Sequence, residues 1–552
     1  MKKIKALSES SFLKLFFGFI TLAFLIGAVC MPDRKEMFSG LLTIITQPAK
    51  ISTNYFALGG FSATFLNMAL VCAICLGLFC IPGAKANNGS TLAFLLTAGF
   101  CSWGINILNI WPTFLGVVLY SIVKKEKVSA NVNAMLFSTG IAPLISELML
   151  RYPGEQVGFT LVGVLLALVV GIAIGFFLPA GLAHSPKVHK GFDLYSAALP
   201  IGMTAFFLQA LLYKTQGVAL PAAPAAETMQ VTAQLGTSIF CCAVFVLCIV
   251  AAVLLGCRPK DYWKLLTDRN PSNNFSTTYG NATFLMNFGV YGLFIVGYYN
   301  LIGATFNGVT FGLIFCMVAC CNSGSHPFNV WPTMAGYVIS SFVFGWISKL
   351  TGGDFTGAIN AQAIVVGLCY ANGLSPIVNK YGWHCGILAA VMHYVLVTSV
   401  PTLHGGYCLY NGGFTAALIC LILVPELEKF VAGGGIVIAD EAFGMRQLNT
   451  WMQPYDIACK QTGMLVRELN IVDSMMRDTL FKMQLKYAQK RHQSITRAEA
   501  LQCMHHMINE LKSILAPELF EQFMNRHISG EPRSPQHTCN WGTITQSHSH
   551  HE

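Results

Sequence analysis

Asn109-Ile-Trp-Pro-Thr-Phe-Leu-Gly116 and Asn329-Val-Trp-Pro-Thr-Met-Ala-Gly336 carry one pattern, N-x-W-P-T-x-x-G, 220 residues apart. Each lies in the middle of a long apolar stretch, so one unit is written twice. The likeness extends outward: Ala63-Thr-Phe-Leu66 answers Ala282-Thr-Phe-Leu285, and Asn88-Gly-Ser-Thr91 answers Asn307-Gly-Val-Thr310. Downstream, Asn133-Ala134 answers Asn360-Ala361, and Gly191-x-x-Leu-Tyr195 answers Gly406-x-x-Leu-Tyr410. The offset is 219 for the upstream pairs and becomes 227 and then 215 downstream, so loop lengths differ while element order is kept. A two-fold repeat in an apolar chain points to transporters and channels.

Composition agrees. Of 552 residues 54% are hydrophobic and 11% charged, with a mean hydropathy of +0.56, against about 25% charged in soluble domains. The chain is expected to be an all-α polytopic membrane protein. Its net charge of +9 is scattered over loops and tail without a dense basic face, which excludes nucleic acid as a partner and fits a positive-inside bias. The 19 cysteines lie mostly inside apolar runs without metal-ligand spacing, so buried free thiols are expected, with no metal and no cofactor. No G-x-S-x-G, H-E-x-x-H or P-loop is present, and no enzyme is expected.

The apolar segments fall at about 12–31, 57–81, 90–123, 131–150, 157–179 and 192–212, then at 233–256, 281–303, 308–347, 356–378, 383–402 and 406–425. The first, near 20 residues and without a small-x-small cleavage site, is a retained helix. The segments at 90–123 and 308–347 are too long for one span and are interrupted, by Gly104 to Asn109 with Pro112 in one and by Asn322 to Pro327 in the other. Domain boundaries follow: a membrane repeat at 1–215, a linker at 216–232, a second repeat at 233–430, a helical domain at 431–529 and a disordered polar tail at 530–552. The domain at 431–529 rests on a capping box, Thr496-Arg-Ala-Glu499, ahead of an apolar stripe from Leu501 to Leu511.

If each interrupted segment is re-entrant, each repeat crosses the membrane five times, and the odd number makes the repeats inverted. With the N-terminus inside, fourteen Lys and Arg fall on cytoplasmic loops and six on outer ones. A bacterial cytoplasmic membrane protein with both termini in the cytoplasm is the expected arrangement, and association with further copies of the chain is left open.

Charge is nearly absent from the spans. Glu147, Asp193 and Asp354 fall near segment ends, where a carboxylate reaches water cheaply. The deep polar groups are Asn106, Asn109, Thr113, His326, Asn329 and Thr333 at the interruptions, with Thr64 and Thr283 in the preceding helices. Pro112 and Pro332 suit the first turn of a following half-helix, and Trp111 and Trp331 either wall a constriction or only pack. On one reading N-x-W-P-T is a device for stopping one half-helix and starting another. On the other it also contacts solute; on either, the two motifs are expected to converge near the bilayer midplane. His326 has no counterpart in the other repeat and is a candidate proton or anion contact.

Gly280-Asn-Ala-Thr-Phe-Leu285 and Gly60-Phe-Ser-Ala-Thr-Phe-Leu66 resemble the G-Y-N-A-T-L segment of urea transporters. That family has two inverted units of five spans, each with a re-entrant helix, and the resemblance implies a pathway role for Asn281, Thr64 and Thr283. The Asn-Pro-x-x-Gly-Leu signature of that family is absent. As a whole the chain more closely resembles an uncharacterised family of bacterial multi-span proteins. The first expectation is a channel or facilitator for a small neutral polar solute. The alternatives are an ion-coupled transporter of a small anionic metabolite, with His326 or Asp354 handling protons, and a membrane sensor whose output is the helical domain.

Overall fold

The structure, a computed structural model, describes residues 7–222 and 224–433, with side chains to residue 429. The expected helical domain beyond residue 433 and the tail at 530–552 lie outside the described residues.

The described residues are helical throughout their regular structure. The first repeat holds α1 (Glu9–Cys30), α2 (Met37–Thr46), α3 (Phe61–Phe79), α4 (Asn88–Phe100), α5 (Trp111–Val123), α6 (Val132–Ser138), α7 (Ala142–Leu150), α8 (Leu161–Val188) and α9 (Ala198–Gln209). The second holds α10 (Gln234–Leu254), α11 (Asn281–Leu301), α12 (Gly308–Val318), α13 (Pro327–Thr351), α14 (Gln362–Ala371), α15 (Ser375–Tyr381), α16 (Trp383–Val397) and α17 (Asn411–Gly433). Among the described residues eight helical stretches are long and apolar enough to cross a membrane, the combined α6–α7 included. Element order repeats from α1 and again from α10.

Local geometry repeats with it. Gly60 and Gly280 precede α3 and α11 with φ of 87° and 88°, a left-handed backbone that favours glycine. Asn87 and Asn307 cap α4 and α12, each side chain accepting the N–H three residues on at 3.0 Å. All these pairs are 220 apart, like the motif itself. The matches at an offset of 219, Ala63-Thr-Phe-Leu66 and Asn88-Gly-Ser-Thr91, are therefore one residue out of register. In consequence Thr64 and Thr283 are not equivalents. Similarly the counterpart of Asn133 is Gln362 rather than Asn360. Asn133 Oδ1 accepts from Ser90 Oγ at the start of α4, and Gln362 Oε1 accepts from Asn307 Nδ2 at the start of α12.

The interruptions occur where expected, at 101–110 and 319–326. In the first repeat Trp111 opens α5, so Pro112 stands in its first turn. In the second, α13 begins earlier, with Pro327 at its first position, and Pro332 lies inside the helix. Helix-starting there passes from Pro332 to Pro327, whose missing N–H would have no helical partner anyway.

α4 and α12 form the centre, and from Ser90 to Phe100 and from Gly308 to Val318 every residue is buried. They run antiparallel, crossing where Gly99 faces Gly312, since a Cβ on either would stand 2.4 or 2.2 Å from the other's carbonyl oxygen. Small residues at such a crossing let two backbones approach within a membrane. Ser102, at the first interruption, donates to Gly308 O at the start of α12 (2.6 Å), while Asn322 at the second donates to Thr91 near the start of α4 (3.2 Å). The two interruptions therefore lie at opposite ends of α4, about 16 Å apart at about 1.5 Å per residue. The expected convergence of the two motifs is not what the fold shows.

The linker 216–232 is tied down rather than loose. Asn54 Nδ2 donates to Thr228 O (2.8 Å) and Val231 O (2.9 Å), and Asn307 Nδ2 to Met229 O (3.1 Å).

Candidate functional site

An interrupted helix frees carbonyls and N–H groups that a membrane interior cannot hydrate. Here one asparagine per repeat collects the carbonyls. Asn67 Nδ2, on α3, donates to Cys101 O and Ile105 O, both at 2.8 Å. Asn287 Nδ2, on α11, donates to Cys321 O at 2.8 Å and Ser325 O at 2.9 Å. Sequence reasoning missed both, although they stand 220 apart like the motif, because the match one residue out of register hid the pairing.

The motif asparagines do the complementary work. Asn109 Oδ1 accepts from Asn106 N (2.9 Å), while its Nδ2 donates to Gly104 O (2.9 Å) and to Ser146 Oγ on α7 (2.9 Å). Asn329 Oδ1 accepts from His326 N (2.9 Å), and its Nδ2 donates to Gly324 O (2.7 Å) and Asn379 Oδ1 on α15 (3.2 Å). Asn106 turns its own Oδ1 to the N–H groups of Leu108 and Asn109, both at 3.0 Å. Thr113 and Thr333 are buried and donate to the carbonyls of Ile110 and Val330. Trp111 and Trp331 are 46% and 44% exposed, on the outside of their helices, so neither walls a constriction. Trp331 stacks on Trp383, with ring centroids 6.2 Å apart. Thr64 returns its hydroxyl to Gly60 O (2.7 Å), Asn281 reaches Leu7 O (3.3 Å) and Thr283 faces Cys257. His326 is buried beside the Phe275 ring, 6.2 Å between centroids.

Of the three acids only Asp354 is placed as expected, while Glu147 and Asp193 are buried. Asp354 is exposed. Glu147 is 1% exposed and held by Arg151 in a two-pronged pair, Nε to Oε1 at 2.9 Å and the terminal nitrogen to Oε2 at 2.6 Å. Truncating Arg151 would strand a buried carboxylate, so Arg151→Ala is expected to cost about 3–5 kcal/mol. The thermal unfolding midpoint in detergent, compared with Glu147→Gln/Arg151→Ala, checks this, because the double variant should recover part of the loss. Asp193, expected near water, is only 2% exposed.

The space a solute could occupy lies elsewhere. A cavity of about 260 Å3 is lined by Trp103 from the first interruption, Gln362 at the start of α14, Asn411 at the start of α17, Ser52, and the apolar Ile51, Met229, Ala363, Val366, Val397, Pro401 and Leu409. Both repeats contribute, and no charged side chain is among them. Trp103 Nε1 and Asn411 Oδ1 are buried without a hydrogen-bond partner among the described residues, one a donor and the other an acceptor. Gln362 is satisfied by Asn307 and by Thr310 (3.2 Å). None of the residues singled out from the motif lines this cavity. Trp103 was within reach of sequence reasoning, as the aromatic next to Gly104 in the break, but Asn411 and Gln362 arrive only through folding. Among the described residues no group of three or more His, Cys, Asp or Glu is placed to hold a metal ion.

No curated protein and no solved structure matches the chain. A family described as "Protein of unknown function (DUF1576)" matches residues 33–214 and 260–429. The two matched blocks correspond closely to the two repeats, and together they cover more than half of the chain, which therefore belongs to this family.

Proposed function

We propose that the chain is a membrane facilitator for a small, neutral, polar solute, taken up in the cavity between the repeats. The observation that carries this is the uncharged cavity of about 260 Å3, two of whose lining residues, Trp103 and Asn411, each keep a buried polar atom without a partner among the described residues. A buried polar atom without a partner is costly, so on this proposal the two side chains turn these atoms to a solute that offers an acceptor and a donor. An anion fits less well, because no Lys, Arg or His lines the space.

The reading includes an inverted arrangement of the two repeats. The contacts Ser90–Asn133 and Asn307–Gln362, which join the start of each interrupted segment to the helix that follows it, support a re-entrant path, on which each repeat would cross the membrane five times. Antiparallel α4 and α12 are what such an inversion requires. With the N-terminus taken as cytoplasmic, the orientation that the loop balance of fourteen against six positive residues favours, the cavity would lie towards the outer side of a cytoplasmic membrane, beneath the linker. The region beyond residue 433 is then cytoplasmic, where it regulates flux or assembles copies of the chain.

Proteoliposomes subjected to urea and glycerol gradients, followed by stopped-flow light scattering, test the proposal. Trp103→Phe keeps the ring and removes the donor, and Asn411→Leu removes the acceptor. Each lost hydrogen bond is worth about 1 kcal/mol, so flux should fall roughly five-fold per variant. Unchanged flux in the double variant would sink the proposal. Asn109→Leu and Asn329→Leu should instead impair assembly, since both amides are occupied by the chain's own backbone.

A further inference from the structure

Asp193 lies in the loop between α8 and α9 and has no part in the cavity. Its Oδ1 accepts from Tyr195 N at 2.8 Å, and its Oδ2 is buried without a hydrogen-bond partner among the described residues. The titratable groups that face it bring no positive charge. His189 Nδ1 accepts the N–H of Asp193 itself (3.3 Å), and His189 Nε2 bonds Ser196 Oγ (2.8 Å), an arrangement of a neutral imidazole. The thiols of Cys320 in the second interruption and Cys420 on α17 are near enough to feel its charge. The Tyr195 hydroxyl is turned away to Cys316 O (2.9 Å), and Lys380 on α15 lies over the Phe192 ring, 5.0 Å from its centroid.

This loop forms a seam between the repeats. Leu194 N donates to Gly373 O in the turn between α14 and α15 (3.0 Å), and the Tyr195 ring meets that of Tyr370 at 5.0 Å. The repeat supplies a second seam, where Leu409 N donates to Gly140 O in the turn between α6 and α7 (2.9 Å). At that second seam Leu409 lines the cavity, and the position of Asp193 is taken by Cys408. At the Asp193 seam the acid itself abuts the second repeat, since a Cβ on Gly373 would stand 3.0 Å from Asp193 Oδ1, and the Tyr195 hydroxyl reaches Cys369 O at 3.3 Å. Both seams close one repeat against the other, and the acid is present at only one of them.

We propose that Asp193 is a proton-binding site that latches its seam, holding it shut as a neutral carboxylic acid and releasing it when the proton leaves. A bare carboxylate there would be buried with one oxygen unpaired and no cation beside it, which favours opening to water. Burial pushes the Asp193 carboxyl up to about 8, while burial holds His189 down at about 4, so His189 stays neutral while Asp193 titrates. The sign follows from the raised value. The folded state keeps a proton that an unfolded chain releases near its ordinary 3.8, so the stabilisation is complete below that pH and is lost as pH rises through about 8. The proposal does not depend on the cavity carrying solute.

The test is the thermal unfolding midpoint of the full chain in detergent, at constant ionic strength, from pH 5 to pH 9. The wild-type midpoint should fall by several degrees across the range, more steeply than that of Asp193→Asn, which keeps shape and hydrogen bonding but cannot ionise. His189→Gln should keep the wild-type slope. Thiol accessibility of Cys320 at pH 9 should be several-fold higher in the wild type than in Asp193→Asn at the same pH, against the direction of the Asp193 charge, which by itself makes the wild-type thiol less reactive. A wild-type slope equal to that of Asp193→Asn, or equal accessibility of Cys320 in the two, would overturn the proposal.

Discussion

Asn287→Leu is expected to destabilise the protein by about 2–6 kcal/mol, since it leaves two buried carbonyls without a donor at about 1–3 kcal/mol each. Leucine matches asparagine in branching and heavy-atom number but is bulkier, so the loss includes an overpacking part besides the hydrogen bonds. The carbonyls of Cys321 and Ser325 are freed by the interruption that precedes α13, and both are reached by the single amide of Asn287 at 2.8 and 2.9 Å. Inside a membrane no water competes to repair the loss. The matching variant, Asn67→Leu, should act alike on Cys101 O and Ile105 O, with a further loss because Ile107 N donates to Asn67 Oδ1 at 3.2 Å. The measurement is the fraction remaining monodisperse after heating in detergent, alongside the unfolding midpoint. Midpoints within a degree of wild type for both variants would mean that these asparagines do not hold the interruptions.

Gly312→Leu should be the most disruptive single change at the centre. A Cβ there would stand 2.2 Å from Gly99 O and 2.4 Å from Ser102 Oγ. The first obstacle is backbone, and α4 is buried along its length, so relief requires α4 and α12 to separate. Overpacking of this kind costs about 1–3 kcal/mol, and parting the helices also breaks the bond from Ser102 Oγ to Gly308 O (2.6 Å), which joins the repeats. We expect loss of folded protein at the expression stage. Gly312→Ala, with the same obstacle but less bulk, should fold with a lowered midpoint. Gly297→Leu is the control, because a Cβ at Gly297 meets nothing within 4 Å. Equal yields from Gly312→Leu and Gly297→Leu would show that the close crossing is not needed.

Several features were legible from residues alone because they depend on short-range chemistry. The apolar runs, the interruptions near Gly104 and at Asn322 to Pro327, and Pro112 at a helix start follow from the backbone's need for internal hydrogen bonds and from what proline cannot donate. The duplication was visible too, and the hydrogen bonds around Asn109 and Asn329 repeat it atom for atom. Register was less secure. Ala-Thr-Phe-Leu is an apolar tetrapeptide that helices tolerate at several offsets, whereas Gly60 and Gly280 need a left-handed backbone and therefore mark equivalence.

By itself the sequence determined that the chain is helical, apolar enough to span a membrane, built twice, and broken once in each copy, since these are properties of segments and their periodicity. Tertiary structure alone decided where the breaks lie relative to each other in space and which residues line the cavity. The antiparallel crossing of α4 and α12 sets the two interruptions apart rather than together, so the motif amides are used up on nearby carbonyls. Trp103, Gln362 and Asn411 come together from separate elements to line the cavity. Burial, which depends on what a neighbouring element covers, turned Asp193 from an acid near a helix end into one shut between the repeats.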